Sequence, residues 1–257
     1  MPTPFSIVII CRNESNKIGQ TLKGLVGLSD DIVVYDTGST DGTSEIVRSF
    51  PVRFVSGEWK GFGETKNAAN ALAKYDWIFS LDADEVPDQQ MRMALLNFDP
   101  ASTNAVYACS FLNFIGDTPL RFGEWGWDKH VRLFNRLLVK WNAAPVHEQL
   151  DYSAPVQELE LPGKIQHRTV SSWSEHRAKM DRYASLNAQK YFELGKSSPV
   201  WKRILSPAFT FFHYYIFRLG FLDGASGFQC AWMTAVYTHW KYARLSQLYS
   251  SSDVKKK

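Results

Sequence analysis

The chain is poor in charge of one sign, in cysteine and in uninterrupted apolar runs. Its 257 residues carry 29 Lys and Arg against 26 Asp and Glu, a formal net charge of +3. Such a balance supplies no strong field to gather nucleic acid, so no nucleic-acid partner is expected. The three cysteines, Cys11, Cys109 and Cys230, lie far apart and form neither a CxxC pair nor a zinc spacing with the six histidines. This excludes a disulfide framework or zinc ribbon and fits buried thiols in a reducing compartment. There is no internal repeat, and low complexity is confined to Lys255 to Lys257. The apolar stretch from Phe5 to Cys11 lacks a basic leader and ends in Arg12, Asn13 and Glu14 without a small-residue cleavage site. It reads as a buried strand rather than a signal peptide, and a cytoplasmic location is expected.

What the chain does have is enough apolar residue, 45%, to bury one domain with an appendage. Its aromatic content is 14%, with nine Trp and eleven Tyr, heaviest toward the C-terminus. Apolar runs at Phe5 to Cys11, Ile32 to Tyr35, Val52 to Val55 and Trp77 to Leu81 alternate with helical periods such as Ile18, Leu22 and Leu25. Strands apolar on both faces, alternating with helices, predict an α/β domain with a mostly parallel sheet. Strand-like patterns follow at Ala105 to Phe114 and Val131 to Val139. An irregular stretch then holds Pro145, His147, Glu148, Pro155 and Pro162, and helices run from Trp173 onward, with Pro199 opening the next one.

Ligands of open α/β sheets bind beyond the carboxyl ends of the strands. Those ends here carry Arg12, Asn13 and Glu14; Asp36; and Asp82, Asp84 and Glu85. Asp82 and Asp84, one residue apart after an apolar strand, can hold a hard divalent cation, Mg2+ or Mn2+, that neutralises a diphosphate. The same residues also suit a turn or helix start, with Pro87 early in the helix. The loop Asp36-Thr37-Gly38-Ser39-Thr40-Asp41-Gly42-Thr43 can hydrogen-bond a nucleobase and ribose, through Asp36, Ser39, Asp41 and backbone groups, with Thr43 or Asp41 capping the next helix. It is neither GxGxxG nor a Walker A loop, which counts against dinucleotide oxidoreductases and P-loop NTPases.

Ile7-Val8-Ile9-Ile10-Cys11-Arg12-Asn13-Glu14, Val33-Val34-Tyr35-Asp36 with its loop, Trp59-Lys60-Gly61-Phe62-Gly63 with Lys66-Asn67, and Asp76-Trp77-Ile78-Phe79-Ser80-Leu81-Asp82-Ala83-Asp84-Glu85 together resemble the family 2 glycosyltransferases of GT-A fold. Arg132-Leu133-Phe134, Val146-His147-Glu148 and Gly220-Phe221-Leu222-Asp223-Gly224 with Gly227 resemble the subfamily of bacterial lipopolysaccharide core glucosyltransferases. The resemblance implies inverting transfer of a hexose from a nucleotide-diphosphate sugar, UDP-glucose being the first candidate, to a lipopolysaccharide core or other lipid-linked acceptor. It also implies that Asn13, Glu14, Asp36, Lys66 and Asn67 contact the nucleotide, Asp36 nearest the base. Asp82 would lie by the ribose or metal and Asp84 on the metal, with His147 completing the metal shell or orienting Glu148. Glu148 is the first choice of general base, with Asp128 and Glu124 as rivals, and Trp125 and Trp127 form an aromatic platform for the acceptor.

The domain division expected is a GT-A catalytic domain at 1–165 and a helical region at 166–257. From Ile204 to Leu222 the chain is rich in Phe, Tyr, Ile and Leu but is interrupted by Pro207, His213 and Arg218. A spanning helix needs about 20 predominantly apolar residues. An interfacial helix pair at the inner face of the cytoplasmic membrane fits better, though packing on the catalytic domain or a second subunit would also use such helices. Two other functions fit parts of the sequence: a haloacid-dehalogenase-like phosphatase with Asp82 as nucleophile, and a non-catalytic carbohydrate or membrane binding protein.

Overall fold

The structure, a computed structural model, describes residues 1–143, 149–197 and 199–254, with backbone alone for 252–254. In chain order its elements begin with β1 (Ser6–Cys11), α1 (Ile18–Leu25), β2 (Ile32–Asp36), α2 (Thr43–Arg48), β3 (Arg53–Ser56), α3 (Phe62–Ala71), β4 (Trp77–Asp82), β5 (Glu85–Pro87) and α4 (Gln89–Leu96). There follow β6 (Ala105–Ile115), β7 (Thr118–Leu120), β8 (Lys129–Asn135), β9 (Val139–Trp141), β10 (Leu150–Tyr152) and β11 (Gln157–Val170). Helices α5 (Trp173–Glu193), α6 (Val200–Phe212) and α7 (Gly224–Val254) complete the chain.

The chain divides into two compact units, 1–111 with 129–167, and 112–128 with 168–257. The main sheet runs β3-β2-β1-β4-β8-β6-β11-β5. The first four strands are parallel neighbours, whereas β8 is antiparallel to both β4 and β6, and β5 is antiparallel to β11. The sheet is therefore mixed, and parallel only over the half in which strand and helix alternate. Side chains of β1 alternate between its faces: Ile7 and Ile9 pack with Leu22 and Leu25 of α1, while Val8 packs with Val33, Ala69 and Ile78. Helix α1 buries Ile18, Thr21, Leu22 and Leu25, the i, i+3, i+4, i+7 spacing of one helical face.

Two local expectations are corrected. Pro87 ends a short strand instead of opening a helix; α4 starts after Asp88, whose carboxylate accepts the Met91 N–H at 2.8 Å. Pro162 lies inside β11 rather than in a loop, and the strand tolerates it beside Gly163, whose φ of +95° is open to glycine.

In the second unit, Ser172 caps α5 by accepting the Glu175 N–H, while Glu175 accepts the Ser171 N–H at 2.7 Å. Helix α6 follows Pro199 as expected, contains Pro207, and runs into a wider π turn over His213–Phe217. A reversal at Gly220–Asp223 leads into α7, where any side chain on Gly227 would collide with the Gly220 carbonyl, 1.8 Å from the Cβ position. No helix among the described residues is long and apolar enough to cross a membrane.

Candidate active site

Registry brings the expected acids of the first unit together. Cys11 is paired with Asp36 and Ile10 with Asp82, so β1, β2 and β4 end at one level. Beyond that rim two loops are laced together. Asn13 takes a left-handed conformation, φ 57°, which asparagine tolerates. Its N–H donates to Ser39 Oγ and its side-chain oxygen accepts the Thr40 N–H, each at 2.8 Å. The Glu14 N–H donates to Thr43 Oγ1 at 2.8 Å and the Ser15 N–H to Asp41 at 3.1 Å. Asp41 also accepts the Thr43 N–H and hydroxyl, and the hydroxyl bond lowers its carboxyl to about 2. The position before α2 belongs to Gly42, without a side-chain cap, so Asp41 serves the helix start from one residue further out and Thr43 lies within the helix. Asp36 is buried and accepts from the Ser39 hydroxyl at 2.6 Å and the Ser44 hydroxyl at 3.0 Å.

Asp82 sits between cations. Lys66 Nζ lies 3.5 Å from one carboxylate oxygen and Arg132 donates to the other at 3.1 Å. Burial opposes its ionisation, but Lys66 and Arg132 outweigh that and hold its carboxyl well below the usual carboxylate range. Arg132 also pairs with the fully buried Glu85, which accepts the Asp82 N–H at 3.1 Å. Burial, aided by the neighbouring Asp82 charge and opposed by Arg132, pushes the Glu85 carboxyl up.

Asp84 faces a separate pair, Lys17 Nζ at 3.0 Å and His167 Nε2 at 3.4 Å. Burial raises its carboxyl, yet the hydrogen bond from His167 and the charge of Lys17 bring it below normal. Burial likewise works against protonated His167, and Asp84 more than compensates. The β5–β11 pairing creates this contact by setting His167 opposite Glu85.

A cleft of about 360 Å³ is lined by Arg12, Glu14, Thr37, Trp59, Phe62 and Asp84, among others. A second, of about 640 Å³, is lined by Lys66, Lys129, His130, Arg132, Trp141 and Tyr152, among others, and Asp82 borders both. Asn67, expected at the nucleotide, spends its amide on the backbone of Trp141, donating at 2.7 Å and accepting at 2.9 Å. Asn13, Asp36, Ser39 and Asp41 shape the loops rather than line either cleft.

Glu148 and His147 lie outside the described residues. Asp128, Trp125, Trp127 and Glu124 belong to the second unit. There Asp128 accepts from Asn113 at 3.1 Å, Glu124 accepts from the Thr234 hydroxyl at 2.6 Å, Trp125 packs edge-on to His176, and Trp127 is largely exposed. The sequence pointed to Arg132 only through the Arg132-Leu133-Phe134 resemblance and to His167, with Arg168, only as a phosphate contact after a strand-like stretch; it did not point to Lys17. Arg132 carried one further signal, a cation within an apolar strand, which burial permits only with a carboxylate partner.

No group of three or more His, Cys, Asp or Glu side chains among the described residues is placed to hold a metal ion. The donor set nonetheless fits one in part: Asp84 offers a carboxylate oxygen and His167 an imidazole nitrogen within a few ångströms, and Mg2+ or Mn2+ characteristically takes few protein ligands and the rest from substrate phosphates.

The model of glycosyl transferase family 2 matches residues 6–150, and the chain belongs to that family. Its mixed α/β sheet with C-terminal helices is the GT-A class expected. The chain is similar to the lipopolysaccharide core biosynthesis glycosyltransferase LpsC of Rhizobium meliloti, with 31% identity over 96% of this chain and 93% of that one. An uncharacterized glycosyltransferase of Rickettsia conorii is 21% identical over 96% of this chain and 90% of its own. Among solved structures, Staphylococcus aureus TarS 1–349 in complex with UDP-GlcNAc gives a TM-score of 0.48 at 14% identity, covering 91% of this chain and 79% of that one. Membership of a glycosyltransferase family removes the phosphatase alternative.

Proposed function

We propose that this glycosyltransferase inverts the anomeric carbon as it moves a hexose from a nucleotide-diphosphate sugar, UDP-glucose being the first candidate, to a lipopolysaccharide core or other lipid-linked acceptor. The observation that carries the reading is the convergence of Glu14, Asp82 and Asp84 with Trp59 and Phe62 on one cleft at the strand ends of a family 2 chain. Likeness to a relative named for lipopolysaccharide core biosynthesis supports the acceptor class.

In this reading residues 1–165 are catalytic, and residues 166–257 bring the enzyme to the inner face of the cytoplasmic membrane. Trp59 and Phe62, edge to face at 4.7 Å, offer an aromatic wall for the base. The Asp36 to Thr43 loop and Asn13 and Glu14 form the nucleotide side, and Lys66 and Asn67 support it. Asp84 with His167, beside Asp82, would hold Mg2+ or Mn2+, with His147 a further candidate; the ion when bound neutralises charge on the leaving diphosphate. Lys66 and Arg132 add fixed positive charge at the same place without reorganisation. The acceptor hydroxyl oxygen forms the new bond as the bond from the anomeric carbon to the diphosphate breaks on the opposite face. Its proton passes to a carboxylate, for which Glu148 is the first candidate.

Calorimetric titration with UDP, GDP, dTDP and CMP, with and without Mn2+, tests this. One diphosphate should bind in a metal-dependent way and lose that dependence in Asp84→Ala. Absence of binding by all four would sink the reading.

A further inference from the structure

Helix α6 is amphipathic in the wrong sense for a water-facing helix. Its most exposed positions are apolar: Val200 at 67%, Trp201, Ile204 at 65%, Leu205, Phe209 at 68% and Phe212. These recur every three to four residues and form one continuous face. The polar positions Lys202, Arg203, Ser206 and Thr210 are the half-buried ones. The face continues through Ile216, Phe217 at 74%, Phe221 and Leu222, and reaches Phe228 and Trp232 at the start of α7. Contiguous exposed apolar surface of this kind marks a contact with a membrane or another protein.

Charge decides between the two. From Lys196 to Leu222 the sequence holds Lys196, Lys202, Arg203 and Arg218 and no Asp or Glu. Asp223, the first acid beyond, is engaged with the Arg121 and Phe122 N–H groups at 2.8 Å each. Two copies meeting through this face would set cation against cation, whereas an anionic leaflet answers both the charge and the apolar stripe. Trp201, with Lys202 over its ring at 5.7 Å, has the polar-ended aromatic character that favours headgroup depth.

We propose that the face built by α6, the π turn and the opening turns of α7 docks in the plane of an anionic lipid bilayer, its aromatic stripe entering the headgroup boundary and Lys202 and Arg218 at its flanks reaching lipid phosphate. This deepens the membrane part of the reading above, rests on it for the choice of leaflet, and is independent of the catalytic residues.

The test is co-sedimentation of the full chain with vesicles of phosphatidylcholine alone and of phosphatidylcholine mixed with phosphatidylglycerol, at low and high salt. Binding is expected to the mixed vesicles, weakly if at all to phosphatidylcholine, and is released by salt. Ile204→Glu/Phe209→Glu should reduce it at least tenfold with an unchanged circular dichroism spectrum, both side chains being exposed. Lys202→Glu should reduce only the anionic-lipid component. Equal binding to both vesicle types, binding unaltered in the double variant, or no binding by either composition overturns the proposal. So does a concentration-dependent dimer that the double variant abolishes, which would assign the face to a second copy. Nucleotide titration in parallel separates the two readings: vesicle binding without nucleotide binding sinks the donor assignment alone, and the converse sinks the docking surface alone.

Discussion

Arg132 is buried between two acids, and each depends on it differently. Asp82 is 39% exposed at its side chain and can turn to water, but Glu85 cannot. Removing one member of a buried ionic group leaves the other uncompensated, which costs about 3–5 kcal/mol. Arg132→Met is therefore expected to destabilise the chain by that order in urea unfolding, and adding Glu85→Gln should recover most of the loss. A double variant no more stable than the single one would show that packing of the arginine stem, not charge, is what the site needs. His167 makes a second prediction. If it and Asp84 share an ion, His167→Ala lowers nucleotide affinity about 10- to 100-fold with Mn2+ present and leaves affinity without metal unchanged; equal losses in both conditions would assign it to packing on Phe111. Neither residue stood out in the sequence as Asp82 and Asp84 did. Acids at strand ends announce themselves by position, whereas the Arg132 and His167 contacts are made by antiparallel partners about 50 and 80 residues away in sequence, whose register no local pattern encodes.

Elements with a strong period were legible and those without were not. The runs at Phe5 to Cys11 and Trp77 to Leu81 became β1 and β4, and Pro199 opens α6, because burial on both faces and proline's missing N–H act locally. Strand β11 was hidden because Pro162 and Gly163 read as a loop, and β5 because three residues are too few for a period. The site's geometry was legible only where it lay at the ends of such periodic strands. Helix α5 yields a prediction of its own. His176 is almost fully buried between Trp125 and Trp173, its Nδ1 without a hydrogen-bond partner among the described residues. Burial, with the charge of Lys179, holds it down at about 4 against an ordinary 6.5. Between those values the unfolded chain binds a proton that the native chain refuses, so stability is full above 6.5 and is lost as pH falls toward about 4, by up to about 3 kcal/mol. Urea midpoints of the wild type should fall between pH 7 and pH 4.5 by more than those of His176→Phe. Parallel curves would show that His176 does not carry the dependence.

At the scale of the whole chain, each unit has its own interior. The first contains the layers on either side of the sheet, and the second packs Ile115, Leu120, Val170 and Cys230 with Trp125 and Trp173. The aromatic excess of the sequence belongs largely to the second unit, whereas every residue of the two clefts that meet at Asp82 belongs to the first. A ligand stabilises only what it binds, by RT ln(1 + [L]/Kd), about 2.7 kcal/mol at a hundredfold excess over Kd. For a unit of this size that is on the order of 5–10 °C. Differential scanning calorimetry with UDP and Mn2+ should then move the transition of the first unit upward by that amount and leave the second where it was. The double variant Ile204→Glu/Phe209→Glu should leave this shift intact, since those side chains touch neither cleft. A single transition that moves as a whole would show that the strands β6 and β11, which run from one unit into the other, make the two unfold together. Nucleotide bound at the strand ends would then stabilise the C-terminal helices as well.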